Sequence, residues 1–120
     1  FASAKISATL KYAGPALIRA ASSIASLEKE WGTIHGAEDV FVEGTNLGFA
    51  EGDSVSIADG EHTWTFTGEA IKSGSDTELV LNYMQAVRED GESGFTPEAD
   101  GPLTIVYKGA TLDVEYKAVR

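Results

Sequence analysis

The chain has 120 residues, 42% of them hydrophobic, which suits one domain with one core. It carries 9 basic and 19 acidic residues for a net charge of −10, and no basic stripe. Such a chain repels a phosphate backbone and an anionic bilayer, so nucleic acid is excluded as a partner and membrane insertion is not expected. There is no cysteine, which rules out disulfides, thiolate metal sites and cysteine nucleophiles.

In chain order, the sequence opens with "FASAKISATLKYAG". Starting at Phe1 reads as a processed product or an excerpt of something longer. A processed pilin of the type IV kind would continue into a long apolar helix, which this segment does not supply. No apolar run reaches the roughly 18 residues of a membrane span.

The next segment, "GPALIRAASSIASLEKEWG", supports two readings. Leu17, Ala20, Ile24, Leu27 and Trp31 fall at spacings of three and four, Pro15 sits where a first helical turn tolerates proline, and Gly32 sits where a helix would stop. The same residues serve a strand reading, which is taken for Ile24 to Glu30.

From there period two dominates. "EDVFVEG" sets Val40 and Val42 on one face and Phe41 on the other. "DSVSIAD" pairs Val55 with Ile57, and "HTWTFTG" alternates threonine with Trp64 and Phe66. "TELVLNYM" aligns Leu79, Leu81 and Tyr83. "PLTIVYKGATLDVEYKAV" predicts two strands about a tight turn at Lys108-Gly109, with Leu103, Ile105 and Tyr107, then Leu112, Val114 and Tyr116, facing inward. Regular glycine punctuation between short strands argues for an all-β sandwich or barrel. "REDGESGFTPEADG", from Arg88 to Gly101, reads as an exposed loop.

The order of several short motifs resembles the IPT/TIG branch of immunoglobulin-like domains. "IASLEKEWGTIHG" and "VFVEGTNLG" match its opening strand, turn and Gly-x-Asn-Leu strand end. "DSVSI" and "SGSDTELVLN" match its middle strands, and "GPLTIVYKGATLDVEY" its closing hairpin. The proline usual after the first strand is missing, with Glu28 and Lys29 in its place, and the acidic loop is longer than the pattern. The resemblance implies an immunoglobulin-like β-sandwich over 23–120, preceded by an extension or arm over 1–22. In this picture Gly44 to Gly52 turns the chain between strands, with Asn46 capping the turn.

"TLKYAGPAL" (Thr9 to Leu17) echoes "TIVYKGATL" (Thr104 to Leu112), with Thr, Tyr, Gly and Leu coinciding. The extension is then the end of a preceding repeat, or an arm that adds a strand to a neighbour's sheet, or the match is coincidence. Arm residues would be Ile6, Ala8, Leu10, Tyr12 and Leu17.

Catalytic chemistry finds little purchase. The serines show no nucleophile elbow, no carboxylate pair is localised, and neither His35 nor His62 has arranged partners, so both read as surface or turn residues. The chain is read as not an enzyme, with no cofactor. Asp90, Glu92 and Asp100 in the acidic loop are weak calcium candidates beside the simpler reading of a solvated loop, since no calcium-loop spacing is present. "ADGEH" makes an ordinary hairpin turn. Among the aromatics Trp64 is the candidate for an outward, ligand-stacking face, although its alternating position favours the core.

The resemblance implies a non-catalytic structural or adhesive module of an extracellular, cell-surface or virion protein, contacting copies of itself or neighbouring domains. Two alternatives stand beside it: a self-assembling filament or virion-shell subunit using residues 1–21 as a linking arm, and an accessory carbohydrate-binding module of a secreted enzyme.

Overall fold

The computed structural model describes residues 14–23 and 29–118. Among these residues ten strands follow in order: β1 Ala16–Ser23, β2 Thr33–His35, β3 Asp39–Thr45, β4 Ser54–Ala58, β5 Thr63–Thr67, β6 Ile71–Gly74, β7 Glu78–Leu81, β8 Val87–Arg88, β9 Gly101–Tyr107 and β10 Ala110–Lys117. They form a four-stranded sheet in the order β1-β3-β7-β6 and a six-stranded sheet in the order β2-β10-β9-β4-β5-β8. Every strand pairing is antiparallel except that of β2 with β10. Short 3-10 turns at Gly68–Ala70 and Tyr83–Gln85 carry the chain onward from β5 and β7.

The alternations predicted the inward faces. Val40 and Val42, Leu79 and Leu81 from the smaller sheet meet Val55 and Ile57, Trp64 and Phe66, and Leu103, Ile105 and Tyr107 from the larger one in a single core. Val114 and Tyr116 join them, with Leu112 partly buried at the margin. The β9–β10 turn falls where the sequence places it. Lys108 and Gly109 both take positive φ, 47° and 84°, the two-residue geometry whose twist matches the flanking strands.

Residues 16–23 are strand, which decides between the two readings there. The helix-like spacing has a specific cause. A bulge between Leu17 and Arg19 leaves Ile18 unpaired, so Leu17 opposite Gly44 and Ala20 opposite Val42 share the inner face despite lying three apart. One extra residue in a strand thus imitates a helical period. Ile24 to Glu28 lie outside the described residues, while Lys29 and Glu30, read as the end of a strand, belong to none. On the outer face Arg19 bonds Glu43 at 2.8 Å and lies 3.9 Å over the Trp31 ring. Lys29 lies 4.3 Å over Phe41. These cation–π contacts hold Lys29 and Trp31, just ahead of β2, against β3 and β1.

The chain enters its own sheet at Ala16, within the segment read as an extension. Of the arm residues, Leu17 packs partly buried against this core, and Ile6, Ala8, Leu10 and Tyr12 lie outside the described residues. The echo shares this limit: Gly109 shapes the β9–β10 turn, whereas Thr9 and Tyr12 are not described. Among the described residues no helix is long and apolar enough to cross a membrane.

Candidate functional site

Among the described residues, polar groups come together in an acidic hollow at His62, a lysine clamp behind the β3–β4 loop and a groove beside β6.

The hollow, about 160 Å³, lies between the β4–β5 turn and the segment entering β9, with Asp59, Glu61, His62, Glu98 and Asp100 on its walls. Asp59 builds the turn by accepting from the backbone N–H of Glu61 and of His62, each at 2.8 Å. This is the local bonding that makes Asp a turn residue, and it agrees with the hairpin expected of "ADGEH". Nδ1 of His62 lies 2.6 Å from Oε2 of Glu89, and the other oxygen of Glu89 accepts from the Thr63 N–H at 2.6 Å. Glu98 stands 4.0 Å from the opposite ring nitrogen. The Glu89 hydrogen bond raises the His62 pKa above its ordinary value. The Thr63 N–H, and then His62, hold that of Glu89 below the usual carboxylate range.

The linkage signs follow. A histidine with a raised folded-state pKa contributes stability that is complete below about pH 6.5 and is lost as pH rises through the folded value. A carboxylate with a depressed one contributes stability present above about pH 4.5 and lost as pH falls through the folded value. This pair is therefore most stabilising between about pH 4.5 and 6.5. Melting temperature followed against pH should decline above that window in the native chain, and His62→Gln should flatten the decline.

The calcium candidates are not assembled into a site. Arg88 grips Asp90 in a two-point contact of 2.9 and 2.6 Å and lies 3.7 Å from Glu92. This holds the Asp90 pKa down to about 2. Asp100 instead accepts from the Ala118 N–H at 2.9 Å. Among the described residues no group of three or more His, Asp or Glu side chains is placed to hold a metal.

The loop from Arg88 to Gly101 is exposed along most of its length, but it also supplies core. Phe95 is buried 5.0 Å from the Trp64 ring, 5.9 Å from Tyr116 and 6.0 Å from Phe66. Trp64 has no exposed surface, so the residue considered for a ligand face is a core residue, as the alternation of β5 favoured. His35 also leaves the surface. It is buried at the end of β2, with Nδ1 3.0 Å from the Lys117 carbonyl and Nε2 2.8 Å from Glu30. Its backbone N–H donates to the Ser22 hydroxyl at 2.6 Å, so this residue ties β1, β2 and β10 together.

The β3–β4 loop holds a cluster that sequence reasoning missed. The Tyr107 hydroxyl donates to the Leu47 carbonyl at 2.9 Å and to Asp53 at 3.2 Å. Lys108 donates to the Gly48 carbonyl at 2.8 Å and pairs with Asp53 at 3.1 Å. The side chain that caps the turn after β3 is Asp76, which accepts from the Gly48 N–H at 3.0 Å. Asn46, expected to cap, contributes its backbone conformation, with φ at 55°. Nothing in the spacing of Asp53, Asp76 and Lys108 announces the cluster, because the register of β4 with β9 brings Asp53 to Lys108 while that of β3 with β7 brings Asp76 to the turn after β3. Tyr107→Phe deletes a buried hydrogen-bond donor and is expected to cost about 1–2 kcal/mol, read as a lower urea midpoint with an unchanged m-value.

The groove beside β6 has a volume of about 540 Å³. Phe49 and Ile71 give it an apolar floor, and Glu51, Asp53 and Glu69 stand along it.

In comparisons with known proteins, no family model matches the chain and no curated protein matches it at significance.

Proposed function

We propose that this chain is a non-catalytic immunoglobulin-like module, serving as a structural or adhesive unit of an extracellular, cell-surface or virion protein. The observation that carries this reading is the strand order. The sheet β1-β3-β7-β6 corresponds to strands A, B, E and D of an immunoglobulin-like sandwich. The order β10-β9-β4-β5 corresponds to G, F, C and C′, with β2 as a short first-strand continuation beside β10. The motif order of the IPT/TIG resemblance supports the same reading.

The polar side chains support a scaffold too. Asp59, Asp76, Glu89, Asp90 and Asp100 each hold a turn or loop in place, and the Tyr107, Lys108 and Asp53 set does the same for the β3–β4 loop. Hydrogen bonds and ion pairs of this kind restrict loop conformations and leave rigid surfaces for contact. The test is antibody labelling of intact cells or particles from the source. Labelling without permeabilisation is expected, and signal appearing only after lysis would remove the exterior assignment.

The second reading is a self-assembling subunit. It is favoured by the separation of charge along the sequence: Lys5, Lys11 and Arg19 precede the first carboxylate, Glu28, and all 19 acidic residues follow. A basic leading segment on an acidic body is complementary between copies. Negative-stain microscopy with light scattering on the full chain tests it, since a monomer at every concentration tried would end this reading.

A further inference from the structure

We infer that the groove beside β6 is the docking site for residues 1–13 of a second copy of this chain. This rests on the self-assembly reading and names the surface that receives the arm.

The groove has the chemistry of a receptor for a basic, alternating strand. Its floor of Phe49 and Ile71 is apolar, and the Phe49 ring lies across Gly74, where a side chain would collide with it. Along the groove, Asp53 already serves Lys108, Tyr107 and the Ala50 N–H. Glu51 and Glu69 have no basic partner among the described residues. Strand β6 ends the four-stranded sheet, so its outward edge has no strand partner among the described residues. An open edge beside an apolar floor is the arrangement by which an added strand is held, with backbone bonds along the edge and alternate side chains in the groove.

Residues 1–13 carry the matching pattern. Ala2, Ala4, Ile6, Ala8, Leu10 and Tyr12 alternate with Phe1, Ser3, Lys5, Ser7, Thr9 and Lys11, without one acidic residue. In an extended segment the first set lies on one face. Lys5 and Lys11 flank it on stems long enough to reach past the strand to Glu51 and Glu69.

The occupant comes from another copy because of where the segment is tethered. It joins β1, which lies at the edge of the sheet opposite β6, with β3 and β7 between. Three strand spacings, roughly 14 Å, separate those edges. Docking onto its own groove would consume much of the alternating stretch in the crossing and require the chain to reverse. A neighbour's groove receives the whole stretch, and a contact between two different surfaces propagates from copy to copy.

The cysteine-free sequence allows a direct test in the full chain. Ala8→Cys and Glu69→Cys are introduced together and treated with a short bismaleimide. The expected result on a denaturing gel is a ladder of dimer and higher species, with each single variant giving at most dimer. The ladder should weaken in about 1 M salt, where screening acts within about 3 Å. A cross-linked monomer would show docking within one chain and overturn the proposal, as would no cross-link at all. Light scattering on the native chain separates the two readings. Large species without the Ala8–Glu69 cross-link would leave self-assembly standing and remove the groove, and a persistent monomer would remove both. Glu51→Lys with Glu69→Lys is expected to weaken self-association at least tenfold, and adding Lys5→Glu and Lys11→Glu should restore it. Failure of that exchange would also count against the groove.

Discussion

Phe95→Ala is expected to lower stability by about 3–5 kcal/mol, within the range for emptying a buried aromatic site. The ring is buried among Trp64, Phe66 and Tyr116. The loop that delivers it is pinned on both sides: the Phe95 N–H donates to the Tyr83 carbonyl at 2.8 Å and the Gly94 N–H to the Ala86 carbonyl at 2.7 Å. A pinned backbone cannot follow the side chain inward, so the cavity stays open and most of its cost persists. Urea unfolding monitored by tryptophan fluorescence measures this directly, because Trp64 is the nearest reporter. Phe95→Leu, which keeps much of the volume, should cost less than half as much. A loss below about 0.5 kcal/mol for the alanine variant, the size of an ordinary surface change, would place Phe95 outside the core. The consequence reaches the hollow as well. Glu89, Glu98 and Asp100 sit on the loop that Phe95 anchors, so the variant should also weaken the pH response ascribed to His62 and Glu89.

The sequence makes the inner faces legible because a strand's side chains alternate with a fixed period, and Val40, Ile57, Phe66 and Leu103 each sit within such a run. The Lys108-Gly109 turn is legible because two-residue hairpins require positive φ and few residue pairs supply it. The first strand is not, since its bulge gives Leu17 and Ala20 a helical spacing. Phe95 was hidden for a different reason. A lone aromatic in a polar loop has no periodic neighbours, and the only local hints are Gly94 and Pro97, residues that fix a loop's path. The polar clusters were least legible of all. His62 with Glu89, Tyr107 with Leu47 and Gly48 with Asp76 are 27, 60 and 28 residues apart in the chain. Only strand order makes them neighbours. The groove shows the same limit, since Phe49 follows β3 while Ile71 opens β6.

Gly44→Ala is expected to destabilise the chain by about 1–3 kcal/mol, the usual cost of forcing atoms into a filled space. Its main effect should fall on β1. Gly44 lies in β3, where its N–H donates to the Thr77 carbonyl at 2.9 Å. A Cβ there would collide with the Ala16 carbonyl oxygen and approach Leu47 Cδ2 to 2.8 Å. The Leu47 side chain has some freedom to turn, but the Ala16 carbonyl is backbone, so relief requires β1 to move. Gly60 is the contrasting case. Its φ of 96° makes alanine strained there, yet nothing lies within 4 Å of the added Cβ, so Gly60→Ala loads only the β4–β5 turn. Amide hydrogen exchange tells the two apart. Gly44→Ala should lose protection across Ala16 to Ala20 with little change at β9 and β10, whereas Gly60→Ala should leave β1 protected. Unchanged exchange at β1 in the Gly44 variant would mean that the first strand is not seated against β3 as described. That seating also bears on the proposed assembly. A segment pulling on a neighbour is useful only if its own root is fixed, and the close approach at Gly44 is what lets β1 lie tightly against β3. If the chain assembles as proposed, the Gly44 variant is therefore also expected to weaken that assembly without altering the groove beside β6.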